Sequence, residues 1–186
     1  KYGNKDTKDA RGYIIAAPPA VHEGTLYLGL AVSEAHIPGG LVVAIDSRTG
    51  AVKWVFNTVP QGPNDEGWEI AKDTWRGGQR VGGGMWTQPA IDPGLGLLYV
   101  NAGYLTAIDA KTGATVTAFG ADGRVDLRAG LDGDVSTIRA LQTNNPGRVF
   151  EDLIIMSLPA GSAVTWSAIT RNSVLEGLPY RPIRPR

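Results

Sequence analysis

The stretch Leu41-Val42-Val43-Ala44-Ile45-Asp46-Ser47-Arg48-Thr49-Gly50-Ala51-Val52-Lys53-Trp54-Val55-Phe56 recurs downstream. Its second copy is Leu105-Thr106-Ala107-Ile108-Asp109-Ala110-Lys111-Thr112-Gly113-Ala114-Thr115-Val116-Thr117-Ala118-Phe119. The shared core is Ala-Ile-Asp-x-x-Thr-Gly, and each residue type in it has a task in a tight turn. The Asp46 carboxylate can accept turn N–H groups, the Thr49 hydroxyl can add another donor, and Gly50 supplies the positive φ that a bulged hairpin loop needs. Beyond the turn, Val52, Trp54 and Phe56 alternate with Ala51, Lys53 and Val55, the period of a strand packed on one face. Upstream, Pro19-Ala-Val-His-Glu-Gly-Thr-Leu-Tyr-Leu28 parallels Pro89-Ala-Ile-Asp-Pro-Gly-Leu-Gly-Leu-Leu-Tyr-Val100. Pro146-Gly-Arg-Val-Phe-Glu-Asp-Leu-Ile-Ile155 is a third, weaker copy of that half. Each upstream half reads as a hairpin.

A unit therefore holds about four antiparallel strands, and no long 3.6-residue periodicity interrupts the pattern. The sequence predicts an all-β chain with few helices. Four-stranded antiparallel units in series are the signature of a β-propeller. The spacing of the copies exceeds the roughly 40–45 residues of a compact blade, chiefly because of a Gly/Pro-rich loop. The expected organisation is one propeller segment over 1–186: blade-like 13–57, loop 58–84, blade-like 85–120, partial blade 146–170 and an extended, polyproline-like tail 178–186. Two to three blades fall short of the four to eight that close a ring. Other chains or missing blades are expected to complete it.

Composition narrows the chemistry. Lys and Arg number 18, Asp and Glu 18, and Cys is absent. Balanced charge leaves no basic footprint for nucleic acid. Without Cys there is no disulfide, thiolate zinc site or Cys nucleophile. His22 and His36 are too few for a three-His metal site and read as turn and loop residues. No run approaches the roughly 18 apolar residues of a membrane span. No signal peptide is visible in the polar first dozen residues, so either one has been removed or the sequence starts inside a larger protein.

Beyond the repeats, several stretches carry a resemblance. They are Gly50 to Pro60, Gly67-Trp68-Glu69, Asp73-Thr74-Trp75, Gly82-Gly83-Gly84-Met85-Trp86-Thr87-Gln88-Pro89-Ala90-Ile91-Asp92-Pro93 and Gly96-Leu97-Leu98-Tyr99-Val100. Together they resemble the pyrroloquinoline quinone (PQQ)-dependent alcohol and glucose dehydrogenases, the quinoproteins, whose propellers have eight blades. Phe119 to Leu131 resembles the sugar and polyol branch of the same family. In the family, the segment resembling Leu105 to Leu131 precedes the blade resembling Tyr13 to Phe56; here it lies after that blade, and the long stretch expected after Gly103 is missing.

The resemblance implies a periplasmic enzyme oxidising a small alcohol or sugar hydroxyl, with PQQ and Ca²⁺ (or a lanthanide) as cofactors. A quinone or cytochrome would accept the electrons. Trp86 matches the tryptophan beneath the PQQ ring, and a flat indole suits a planar tricyclic quinone. Gly83 and Gly84 would give close backbone approach to the cofactor. Glu34 matches a Ca²⁺ ligand, and a hard cation takes carboxylate oxygen. The family's Asn ligand falls on Tyr104, leaving the nearby Asn101 as the substitute. No segment matches the family's general-base Asp, so the catalytic residue is unknown; Asp126, Asp132 and Asp134 read as turn formers. The missing vicinal Cys pair of many alcohol-oxidising relatives points to the sugar branch or to blades outside this sequence. The ordinary alternatives are a Trp86 packed between sheets, solvated loop roles for Glu34 and Asn101, and a non-catalytic propeller scaffold that binds a protein partner.

Overall fold

The computed structural model describes residues 13–31, 40–73, 80, 83–101, 104–128, 147–151, 153–160, 163–170 and 181–182. Glu34 and His36 lie outside them, as do Asp132, Asp134 and most of the tail. The chain divides into two compact units, Lys1–Gln88 and Pro89–Arg186.

The first unit is built on β1 (Ile14–Ile15), β2 (Ala20–His22), β3 (Thr25–Ala31), β4 (Leu41–Asp46) and β5 (Val52–Asn57). The order is β1-β3-β4-β5, with β2 also paired to β3, and every pairing is antiparallel. β1 and β2 thus share one edge of β3 in tandem, separated by a stretch that contains Pro18 and Pro19. A two-residue turn joins β2 to β3, with Glu23 at φ 45° and Gly24 at φ 71°. Positive φ at both central residues matches the turn to the twist of its strands. Tyr27 and Trp54 are buried with ring centroids 5.9 Å apart, and Phe56 is buried on the same face as Trp54. Val52 departs from the expected alternation, being exposed beside the turn. One helical turn, α1 (Trp68–Ala71), lies in the long loop after β5.

The second unit contains β6 (Ala90–Asp92), β7 (Leu97–Asn101), β8 (Tyr104–Asp109) and β9 (Arg124–Asp126) in one sheet. The other sheet holds β10 (Arg148–Phe150), β11 (Leu153–Ala160), β12 (Ala163–Thr170) and β13 (Arg181–Pro182). Both are antiparallel meanders. They pack through Ala90, Leu97, Tyr99, Leu105, Ala107, Phe119, Leu127, Ile154 and Met156. Phe119 is fully buried, its ring 5.5 Å from that of Tyr99.

The two Ala-Ile-Asp-x-x-Thr-Gly turns are nearly identical in their bonds. Asp46 Oδ1 accepts from Arg48 N (3.1 Å), Thr49 N (2.9 Å) and Thr49 Oγ1 (3.0 Å). Asp109 Oδ1 accepts from Lys111 N (3.0 Å), Thr112 N (2.7 Å) and Thr112 Oγ1 (2.9 Å). Gly50 and Gly113 close the turns at φ 71° and 80°.

Past these glycines the two copies part. After Gly50 the chain runs straight into β5, which pairs along the length of β4. After Gly113 only Thr115 bridges to Ile108. The chain then turns away, with Gly120, Asp122 and Gly123 all at positive φ, and returns as β9 to take the outer place beside β8. The second sheet therefore extends past Phe119 to Asp126. Thr115–Phe119, which aligns with the alternating Val52–Phe56 of the first copy, forms no strand there, and the Gly120-Ala-Asp-Gly123 turn follows it. Phe119 instead plugs the core from the loop.

This packing and turn chemistry predict two outcomes. Phe119→Ala should cost about 3–5 kcal/mol, as expected for a buried aromatic replaced by a cavity, read as a lower denaturant midpoint at unchanged slope. The Thr49 backbone N–H holds the Asp46 carboxyl below the usual carboxylate range, aided by the Thr49 hydroxyl and Arg48 N–H. Burial pushes Asp109 up, but the Thr112 and Lys111 donors outweigh it and hold that carboxyl low as well. A depressed folded pKa contributes stability above the unfolded value of about 3.9 and loses it as pH falls through the folded pKa. Asp46→Asn/Asp109→Asn should therefore lower stability at neutral pH and flatten the acid limb of a stability–pH profile; an unchanged acid limb would contradict this.

Candidate functional site

The site takes shape in the first unit, on the segment Gly83–Gln88, which runs irregularly across the sheet. Met85 N donates to Leu30 O at 3.2 Å, tying the segment to β3. The approach is so close that a Cβ on Gly29 would lie 2.5 Å from Met85 Cβ. A Cβ on Gly40 would lie 2.0 Å from Gly83 O. Real Cβ atoms do not come this near other heavy atoms, so these two glycines are what let the segment lie down on the sheet.

Burial alternates along this segment. Met85 is 1% exposed and Thr87 is buried, while Trp86 between them is 41% exposed. An indole is thereby held out from a segment whose neighbouring side chains are anchored inward. Gln88 Nε2 donates to Pro19 O at 2.7 Å and secures the far end.

The near end is secured at Gly83. Its carbonyl accepts from Thr58 Oγ1 at 2.6 Å, and the same hydroxyl lies 3.1 Å from Gly40 O. Gly83 sits at φ 69°, where a Cβ would strike Val59 Cγ2 at 2.5 Å and Thr58 Oγ1 at 2.8 Å. The close approach that Gly83 makes in this structure is thus to its own loop. The loop is braced in turn. Asp65 accepts from Asn57 Nδ2 (2.8 Å) and Gln61 N (2.6 Å). Gln61 Nε2 donates to Val59 O (2.9 Å) and Arg80 O (3.0 Å). The Arg80 guanidinium stacks 4.0 Å from the centre of the Trp68 ring, a cation–π contact.

Of the two metal candidates, only Asn101 falls among the described residues. Glu34 lies outside them. Asn101 ends β7 in the second unit and is half-buried. No group of three or more His, Asp or Glu residues that could hold a metal ion occurs among the described residues. Tyr104, at the place where the resemblance expects an Asn ligand, is exposed.

Asp126 ends β9 and turns the chain there, its Oδ1 accepting from Arg128 N at 2.9 Å. The same arginine also grips it in a fork, Nε to Oδ1 at 3.0 Å and Nη2 to Oδ2 at 2.7 Å. The Arg128 side-chain bonds hold the Asp126 carboxyl below the ordinary range. A carboxylate so stabilised in its ionised form is a poor proton acceptor. It is structural. Thr58, Gly29 and Gly40 are the site-shaping residues that the sequence did not single out; each acts through contacts distant in the chain, and no local motif marks them.

The family model described as PQQ: Glucose/ethanol/alcohol dehydrogenase, beta-propeller domain, matches residues 2–104 and 100–172. The quinohemoprotein alcohol dehydrogenases ADH-IIG and ADH IIB of Pseudomonas putida are each 38% identical to the chain, over 109 and 111 residues. These matches cover 54% and 55% of this chain but 15% and 16% of the two relatives, so the chain spans a small part of their length. The solved structure of ADHIIG from P. putida HK5 aligns with a TM-score of 0.57 at 24% identity, covering 90% of this chain and 26% of that one. The structural match gives the fold, an all-β partial propeller, and the family model supplies the lineage: the chain belongs to the PQQ-dependent glucose/ethanol/alcohol dehydrogenase β-propeller family.

Proposed function

We propose that the chain is a segment of a quinoprotein dehydrogenase that oxidises alcohol hydroxyls, with Trp86 as the platform for the PQQ ring. The observation that carries this reading is the exposed Trp86 indole on a segment whose neighbours are buried. Exposing an aromatic that size forgoes burial worth about 1.5–3 kcal/mol, which a flat ligand would recover. Bound PQQ supplies a two-electron acceptor for the carbinol carbon. The chain's own part is to hold the ring face and exclude water from it. The relatives' names favour an alcohol over a sugar as substrate.

Glu34 and Asn101 are the proposed Ca²⁺ ligands, Gly83 and Gly84 the backbone beside the cofactor, and a quinone or cytochrome the electron acceptor. The periplasm is the proposed location. No helix among the described residues is long and apolar enough to cross a membrane. The full activity belongs to a longer assembly, completed by further blades, which also supplies the general base.

Equilibrium dialysis of the chain against PQQ with and without Ca²⁺ tests the reading. Wild type should take up PQQ, and Trp86→Ala should bind it about 10- to 100-fold more weakly, the loss expected for one stacking aromatic. Equal uptake by both would remove Trp86 from the site. No uptake by wild type would remove the cofactor reading for this chain.

A further inference from the structure

At Gly83, the near end of the segment that carries Trp86 is tied to the sheet by one hydroxyl. Thr58 Oγ1 reaches Gly83 O at 2.6 Å and Gly40 O at 3.1 Å, while Thr58 N donates to Gly40 O at 2.9 Å. Gly40 is the residue before β4 and Thr58 the residue after β5, so both are fixed by the sheet. Gly83 lies three residues before Trp86 and is held by that contact. Between Gly83 and the next tie, Met85 N to Leu30 O, no room is left for slack, because Gly29 and Gly40 already meet the segment at contact distance.

We infer that Thr58 is a positioning residue for Trp86, setting the plane of the indole that receives the quinone; this rests on the cofactor reading above. The hydroxyl does what a methyl cannot. A Val at this position would keep the shape of Thr but leave the Gly83 carbonyl without its donor, and a half-buried carbonyl stripped of its partner moves toward water. Gly83 is at φ 69°, a conformation for which glycine has ready alternatives. The segment would therefore loosen at Gly83, and the setting of Trp86 on that side would rest on the Met85 N to Leu30 O bond without its support. Neither Thr58 nor Gly83 need touch the cofactor for this effect.

A double-mutant cycle decides the matter, with PQQ affinity measured by equilibrium dialysis on the full 186-residue chain. Thr58→Val should weaken PQQ binding about tenfold, the loss expected for one hydrogen bond of this kind. Thr58→Ser, which keeps the hydroxyl, should restore it to near wild type. In a Trp86→Ala background, Thr58→Val should cause no further loss, since the residue that Thr58 positions is gone. A general weakening of the fold would instead lower affinity by the same factor in both backgrounds, and that result overturns the inference while leaving the role of Trp86 intact. So does an unchanged affinity in Thr58→Val when Trp86→Ala is impaired. If Trp86→Ala binds like wild type, Trp86 leaves the site and this inference fails with it; no uptake by wild type ends the cofactor reading and the inference together.

Discussion

Three donors converging on one carboxylate oxygen set the register of the chain twice over. In each Asp-x-x-Thr-Gly turn, the side chain of the first residue satisfies two backbone N–H groups and a hydroxyl that would otherwise face solvent. The loop then has one conformation rather than many. Because side chains alternate along a strand, slipping that turn by one residue would transfer Trp54 and Phe56 from the buried face to water. A polar contact at the rim thus decides which apolar groups enter the core. The same carboxylates anchor both copies, so two sheets distant in sequence begin from equivalent geometry.

From that common start the copies diverge, and the divergence shows what the sequence reveals. The turns were legible because their chemistry is local: acceptor, donors and positive-φ glycine lie within five residues. The upstream hairpins were legible for the same reason. The replacement of the expected strand after Gly113 by a returning β9 was not, because Thr115 to Phe119 has strand-like composition. The outcome turned on Phe119 finding a core position beside Tyr99, a contact between residues far apart in the chain. Asp126 was legible as a turn former, a local role. Its fork to Arg128, which takes it out of contention as a base, was not, because nothing in the spacing announces it.

The candidate site divides in the same way. Trp86 was recognisable from the Gly-rich run before it and the family pattern around it. Its presentation depends on Gly29, Gly40 and Thr58, which come from three different parts of the first unit. Their significance is steric closeness and a shared hydroxyl, properties that appear only once the chain is folded. Gly83 illustrates the point: its missing Cβ also makes room for Val59 and Thr58, which its place in the sequence does not announce.

The tandem arrangement of β1 and β2 along one side of β3 has a consequence for solubility. A continuous outer strand would offer an unbroken row of backbone donors on which a stray chain could nucleate. Here the row is interrupted at its middle by Pro18 and Pro19, neither of which has an N–H to offer. Ile14, Ile15 and Val21 are exposed on either side of the gap. That border therefore carries greasy side chains without presenting an unbroken template for fibril growth.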